Sequence, residues 1–221
     1  MTTAPERGGG GQGGSRPDHL VVVTGTTTEV GKTWVCAEVV RGLRAKGRAV
    51  SARKPVQSYV PRSGPTDADV LAAASGEPAT EVCPPQRWYE VAMAPPFAAE
   101  ALGRPPFELA DLLAELHWPP GVDVGVVETV GGPRSPVAAD ADTVDLVEAL
   151  APDTTVLVAD AELGAINAVL LSAAALPAAP VVFLNRYSAK EMVHALNAEW
   201  LRDRCGLEVC VDAAELVRRL G

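Results

Sequence analysis

Short apolar runs rich in β-branched residues alternate along this chain with longer segments whose apolar positions recur every three to four residues. The runs at 20–24, 48–53, 122–128, 154–159, 181–184 and, more weakly, 207–211 predict strands. Continuous stretches such as Val21-Val22-Val23 and Val181-Val182-Phe183-Leu184 suit strands covered on both faces. The helical period predicts helices over 33–46, 67–75, 107–116, 143–150, 163–176, 189–205 and 213–220. The first sets Val35, Val39, Val40 and Leu43 on one face and stops at Gly47, a residue suited to the position past a helix end. Such alternation gives an α/β fold, a doubly wound, mostly parallel sheet with helices on both faces. Ligands in these sheets collect at the carboxyl ends of the strands. The segments 25–33, 54–58 and 128–132, and Asn185, each follow a predicted strand.

Size and composition narrow the picture. The chain has 221 residues, 48% of them hydrophobic, enough for one substantial core. Residues 1–18 read as a flexible, Gly-rich tail and 19–221 as a single domain without repeat or linker. The tail lacks the apolar segment of a signal peptide or anchor, and the apolar stretch 165–180 reads as a buried helix and turn, so no membrane role is expected. A formal net charge of −9 with no basic stripe argues against nucleic acid. Cys36, Cys83, Cys205 and Cys210 form no CxxC pair, which suits indifferent thiols in a reducing cytoplasm.

The candidate chemistry begins at Gly25-Thr26-Thr27-Thr28-Glu29-Val30-Gly31-Lys32-Thr33. A strand turning through this loop into a helix is the plan of a phosphate-binding P-loop. Backbone N–H groups and the helix dipole would attract phosphate oxygens, Lys32 would reach the β- and γ-phosphates, and Thr33 would ligate Mg2+. Lys54, followed by Pro55, is either a solvated lysine or one held at the ligand-bearing edge on a stiff backbone. Asp67 and Asp69 open a helix, where either could help hold Mg2+ and where capping also favours aspartate. Glu128 ends a buried strand before glycines, the place of an acidic metal-site residue in P-loop enzymes. Asn185 ends another strand; its amide matches the donor and acceptor edge of adenine, and a turn-forming Asn is the alternative.

Together these segments resemble the dethiobiotin synthase family. The family's Gly-Thr-Asp-Thr-x-Val-Gly-Lys-Thr loop is matched at 25–33 except for Thr27 in the Asp position. Its Lys-Pro-Val-x-Ser stands at 54–58, an Ala-Pro followed by Ala-Ala at 94–99, and Leu-Gly-x-Ile-Asn at 163–167. The resemblance implies ATP binding by Glu29, Val30, Gly31, Lys32, Thr33 and Asn185, with Lys32, Lys54 and Thr28 catalytic. It implies Mg2+ on Thr33, Asp67 (preferred to Asp69) and Glu128. Thr28, Lys54 and Ser58 would face the nitrogens of 7,8-diaminopelargonate and the carbamate formed with CO2. Gly164, Ile166 and Asn167 would bind the substrate carboxylate from the second subunit of a homodimer. The implied activity is an ATP-dependent cyclo-ligase that closes a ureido ring in biotin biosynthesis through a carbamic-phosphoric anhydride. The alternatives are a P-loop switch ATPase, or a diverged paralogue acting on another substrate. The main departure is Thr129, where the family has a glycine able to adopt unusual dihedrals; the role of Arg134 and the nucleotide preference stay open.

Overall fold

The computed structural model describes residues 16–221. In chain order the elements are β1 (His19–Gly25), α1 (Lys32–Ala45), β2 (Val50–Arg53), β3 (Gln57–Ser58), α2 (Asp67–Ser75), α3 (Ala79–Val82), β4 (Trp88–Tyr89), α4 (Pro95–Ala101), α5 (Leu109–Glu115), β5 (Val124–Glu128), α6 (Thr143–Leu150), β6 (Thr154–Asp160), α7 (Ala165–Ala175), β7 (Val181–Asn185), α8 (Met192–Glu199), β8 (Val209–Cys210) and α9 (Ala213–Leu220). Six strands form one sheet in the order β2-β5-β1-β6-β7-β8, with every neighbouring pair parallel. β3 and β4 form a separate small pair.

The sheet is buried on both faces, as its apolar runs require. Val21 and Val23 pack with α1, α2 and α9 residues such as Val39, Leu71 and Leu216. Leu20 and Val22 point to the opposite face, against Trp118, Val147 and Leu176. The strand period of two thus divides β1 between two cores. A third cluster joins β6 and β7 to α7 and α8.

Most predicted elements are present within a few residues. The predicted helix over 189–205 is α8 followed by a π-helical turn at Trp200–Arg204. Short elements between residues 79 and 101 add a small satellite beside the sheet. Residues 16–18, counted with the tail in the sequence reading, are tied to the body: Arg16 bonds the Ala151 carbonyl and the Asp153 carboxylate, and Pro17 is buried against Gly125. The rest of that tail lies outside the described residues. The expectation of a wholly buried helix after residue 165 needs correction. One side of α7 packs through Val169, while Leu171 is 68% exposed and Leu163, just before the helix, 89%. No described helix is long and apolar enough to cross a membrane. Burial pushes the Cys83 thiol up to about 12 and that of Cys210 to about 11.

Candidate active site

The loop from β1 to α1 is held in shape from β7. The Asn185 amide donates to the Val30 carbonyl at 2.9 Å, and the Arg186 guanidinium to the Glu29 carbonyl at 3.0 Å. Glu29 and Gly31 both have positive φ, 64° and 90°. A Cβ on Gly31 would stand 2.1 Å from the Asn185 amide nitrogen, so glycine alone fits there. Gly31 offers no side-chain cap, leaving the first-turn N–H groups of α1 to an external anion. Lys32 is buried and folds back onto the Thr27 carbonyl at 3.0 Å. Burial and the nearby Lys54 charge lower its pKa, against the pull of Glu128 and Asp67.

Beneath this loop four side chains converge from separate elements. Lys54, just past β2, places its ammonium 2.8 Å from an Asp67 oxygen, 2.8 Å from Glu128 Oε1 and 3.1 Å from the Thr129 carbonyl. The Thr33 hydroxyl lies 2.8 Å from Asp67 Oδ1 and 2.8 Å from Glu128 Oε1. One hydroxyl proton cannot serve both carboxylates, so three hard oxygens face one another with a donor too few. Glu128 Oε2 is also buried without a hydrogen-bond partner. This set suits a divalent cation completed by phosphate oxygens. Among the described residues, no three His, Cys, Asp or Glu side chains gather to hold a metal unaided. Burial opposes the Lys54 charge, yet Asp67 and Glu128 outweigh it and raise its pKa. Asp67 shifts downward, since Lys54 and Thr33 overcome its burial. Glu128 shifts upward because complete burial outweighs Lys54.

Asp67 and Asp69 divide the two roles left open in the sequence. Asp69 forms a reciprocal capping box with Thr66, while Asp67, the first residue of α2, reaches Lys54 and Thr33.

These groups open on one cavity of about 710 Å³. Thr28, Glu29, Gly31, Lys32 and Thr33 line it from the loop, with Lys54, Ser58, Asp67 and Glu128 below and 92–95, Val130, Gly131, Ser135 and Pro136 around them. Ser58 donates to the Met93 carbonyl at 2.6 Å. Asn185 lines a second cavity of about 500 Å³ that shares Gly31 with the first. Its amide nitrogen gives one N–H to Val30, which leaves the carbonyl oxygen and the second N–H for a base. Val30 is buried and contributes its carbonyl to that bond. Gly164, Ile166 and Asn167 start α7 and line neither cavity of the single chain. Thr129 does not require glycine: its φ is not positive, and its N–H bonds the Val23 carbonyl. The left-handed residue of that turn is Gly131. Arg134 pairs with Asp142 on the surface, outside the cavity. Arg186, Met93 and Ser135 also lie at these cavities without any motif in the sequence beyond the adjacency of Arg186 to Asn185.

The chain matches a family model described as an AAA domain over residues 19–201. It is 34% identical over 200 residues to the ATP-dependent dethiobiotin synthetase BioD of Haloferax mediterranei, covering 86% of this chain and 82% of that protein. The protein of the same name from Rhodococcus jostii is 39% identical over 163 residues, covering 72% of this chain and 68% of the relative. Among solved structures, the cell division protein ftsY of Thermotoga maritima aligns with a TM-score of 0.52 at 15% identity, over 94% of this chain and 70% of that one. At that identity the likeness concerns the fold alone.

Proposed function

This chain belongs to the ATP-dependent dethiobiotin synthetase family, and we propose that it is the cyclo-ligase that makes dethiobiotin from 7,8-diaminopelargonate, CO2 and ATP in biotin biosynthesis. The observation that carries the reading is the cluster of Lys54, Asp67, Glu128 and Thr33 directly beneath the P-loop, open to a cavity large enough for a triphosphate and a second small substrate.

In the proposed reaction CO2 adds to one substrate amine, which loses a proton and becomes a carbamate. A carbamate oxygen attacks the γ-phosphorus and ADP leaves. The second amine then attacks the carbamate carbon, phosphate leaves, and the attacking nitrogen loses a proton as the ring closes. Lys32 and the first-turn amides of α1 hold the β- and γ-phosphates. Lys54 turns from its carboxylates towards the carbamate and transferring phosphoryl oxygens, and Thr28 and Ser58 orient the substrate nitrogens. Catalysis of this kind rests on positioning and charge stabilisation. Thr33, Asp67 and Glu128 would hold Mg2+, which would offset phosphate charge.

The finer assembly belongs to the same proposal. Asn197 on α8 bonds the carbonyls of Ala161 and Glu162, so α8 flanks the entry to α7. Both helices expose large apolar side chains, Leu171 on one and Met192 and Leu196 on the other. An apolar face of this kind suits an isologous homodimer. There Gly164, Ile166 and Asn167 of one protomer would complete the cavity of the other. A cytoplasmic setting fits four cysteines that are all unpaired.

The test is phosphate release from MgATP and bicarbonate with and without 7,8-diaminopelargonate, with dethiobiotin measured by mass. Diamine-dependent release with matching dethiobiotin supports the reading. Release indifferent to the diamine refutes it in favour of a switch ATPase or diverged paralogue.

A further inference from the structure

The cavity beside the P-loop contains an aromatic surface that the reaction above does not use. Trp34 is the third residue of α1 and half exposed, although the helix buries Val35, Cys36, Val39, Val40 and Leu43 beside it. Its ring rests against the buried Phe183 of β7, with centroids 6.5 Å apart and planes at 45°. That contact fixes the indole, and the exposed remainder lines the cavity together with Asn185 and Tyr187. Asn185 is more than nine-tenths buried, and its amide nitrogen is held by Val30. Gly31 lines both cavities, so a triphosphate held at the start of α1 has the Trp34 cavity as its neighbouring space.

We propose that Trp34 is a nucleotide-binding residue that stacks on the base of the bound nucleoside triphosphate. This rests on the nucleotide site of the proposed function and adds to it. An indole offers its π-face to any base, so Trp34 supplies affinity irrespective of base identity. The Asn185 side chain then offers its carbonyl oxygen and its second N–H to the base edge, matching the exocyclic amino group and adjacent ring nitrogen that adenine and cytosine present. The pre-packed ring contributes without first being ordered, because Phe183 already restrains it.

Calorimetric titration of wild type, Trp34→Ala and Trp34→Phe with MgATP, MgCTP and magnesium tripolyphosphate tests the assignment. Trp34→Ala should bind ATP and CTP about tenfold to a hundredfold more weakly, the range for one lost base–aromatic stack. Tripolyphosphate has no base, and its affinity should not change. Trp34→Phe should recover most of the ATP affinity. Saturating MgATP should quench part of the wild-type tryptophan emission, and that change should vanish in Trp34→Phe while the other three tryptophans still emit. Unchanged ATP affinity in Trp34→Ala overturns the proposal. So does an equal loss for tripolyphosphate, which would mean a distorted P-loop. Neither outcome resembles failure of the ligase reading, which appears as diamine-independent phosphate release with nucleotide affinity intact.

Discussion

Replacing Lys54 by methionine keeps an unbranched side chain, one atom shorter, and removes the ammonium that donates to Glu128 at 2.8 Å. Both partners are buried, at 2% and 1% side-chain exposure, so the remaining carboxylate cannot turn to water. Breaking a buried pair from one side costs about 3–5 kcal/mol. Asp67 adds little, because its side chain is 39% exposed and solvent screens it. The double variant Lys54→Met/Glu128→Gln removes both buried charges and should recover more than half of that loss. Urea unfolding at constant m-value measures each step. Burial already raises the Glu128 carboxyl, and loss of Lys54 raises it further. A folded-state pKa above the unfolded one stabilises at low pH and is lost as pH climbs through the folded value. The single variant's deficit should therefore be larger at pH 8 than at pH 5. Both variants should lack diamine-dependent phosphate release, the double variant because it loses a proposed metal ligand as well as Lys54. A single variant within about 1 kcal/mol of wild type, or a double variant as unstable as the two singles summed, would refute the reasoning.

Gly31→Ala puts a methyl group 2.1 Å from the Asn185 amide at a φ of 90°, and calorimetry should show ATP binding at least about tenfold weaker. Thr129 has a buried hydroxyl without a partner, so Thr129→Val should raise stability by about 1 kcal/mol in thermal melts. Thr129→Gly should not increase turnover, since the backbone there has no positive φ to relieve. On the proposed dimer, Leu171→Glu places a charge twice in one isologous face. Sedimentation velocity should show a monomer, with loss of diamine-dependent turnover and no loss of monomer stability; a persistent dimer would exclude α7 from the interface.

The chemistry was most legible where it is contiguous. Gly31, Lys32 and Thr33 are neighbours, and their position between strand and helix follows from local periodicity. The Thr66-x-x-Asp69 spacing of a capping box was also in the sequence, and it assigns Asp69 to the backbone and frees Asp67. Elements of two to four residues, such as β3, β4 and α3, are too short to carry a period. The exposed side of α7 was hidden for the opposite reason, because its residues are apolar almost all round. The bond from Asn185 to Val30 spans 155 positions and has no local signature.

The hardest feature to foresee was that one lysine joins both acidic residues. Lys54 and Glu128 are 74 positions apart, and they meet because β2 pairs with β5 rather than with β1. Strand order is a property of the packed sheet, and the apolar period of each strand is indifferent to it. The carboxylates that would hold Mg2+ are paired with Lys54, whose charge balances theirs in part. On the proposed chemistry, Thr33, Asp67 and Glu128 would hold the metal, while phosphate and carbamate oxygens would offer the Lys54 ammonium other partners. A cluster that stabilises the fold can in this way supply the Lys54 charge to the reaction without leaving Glu128 unpaired in a dry interior.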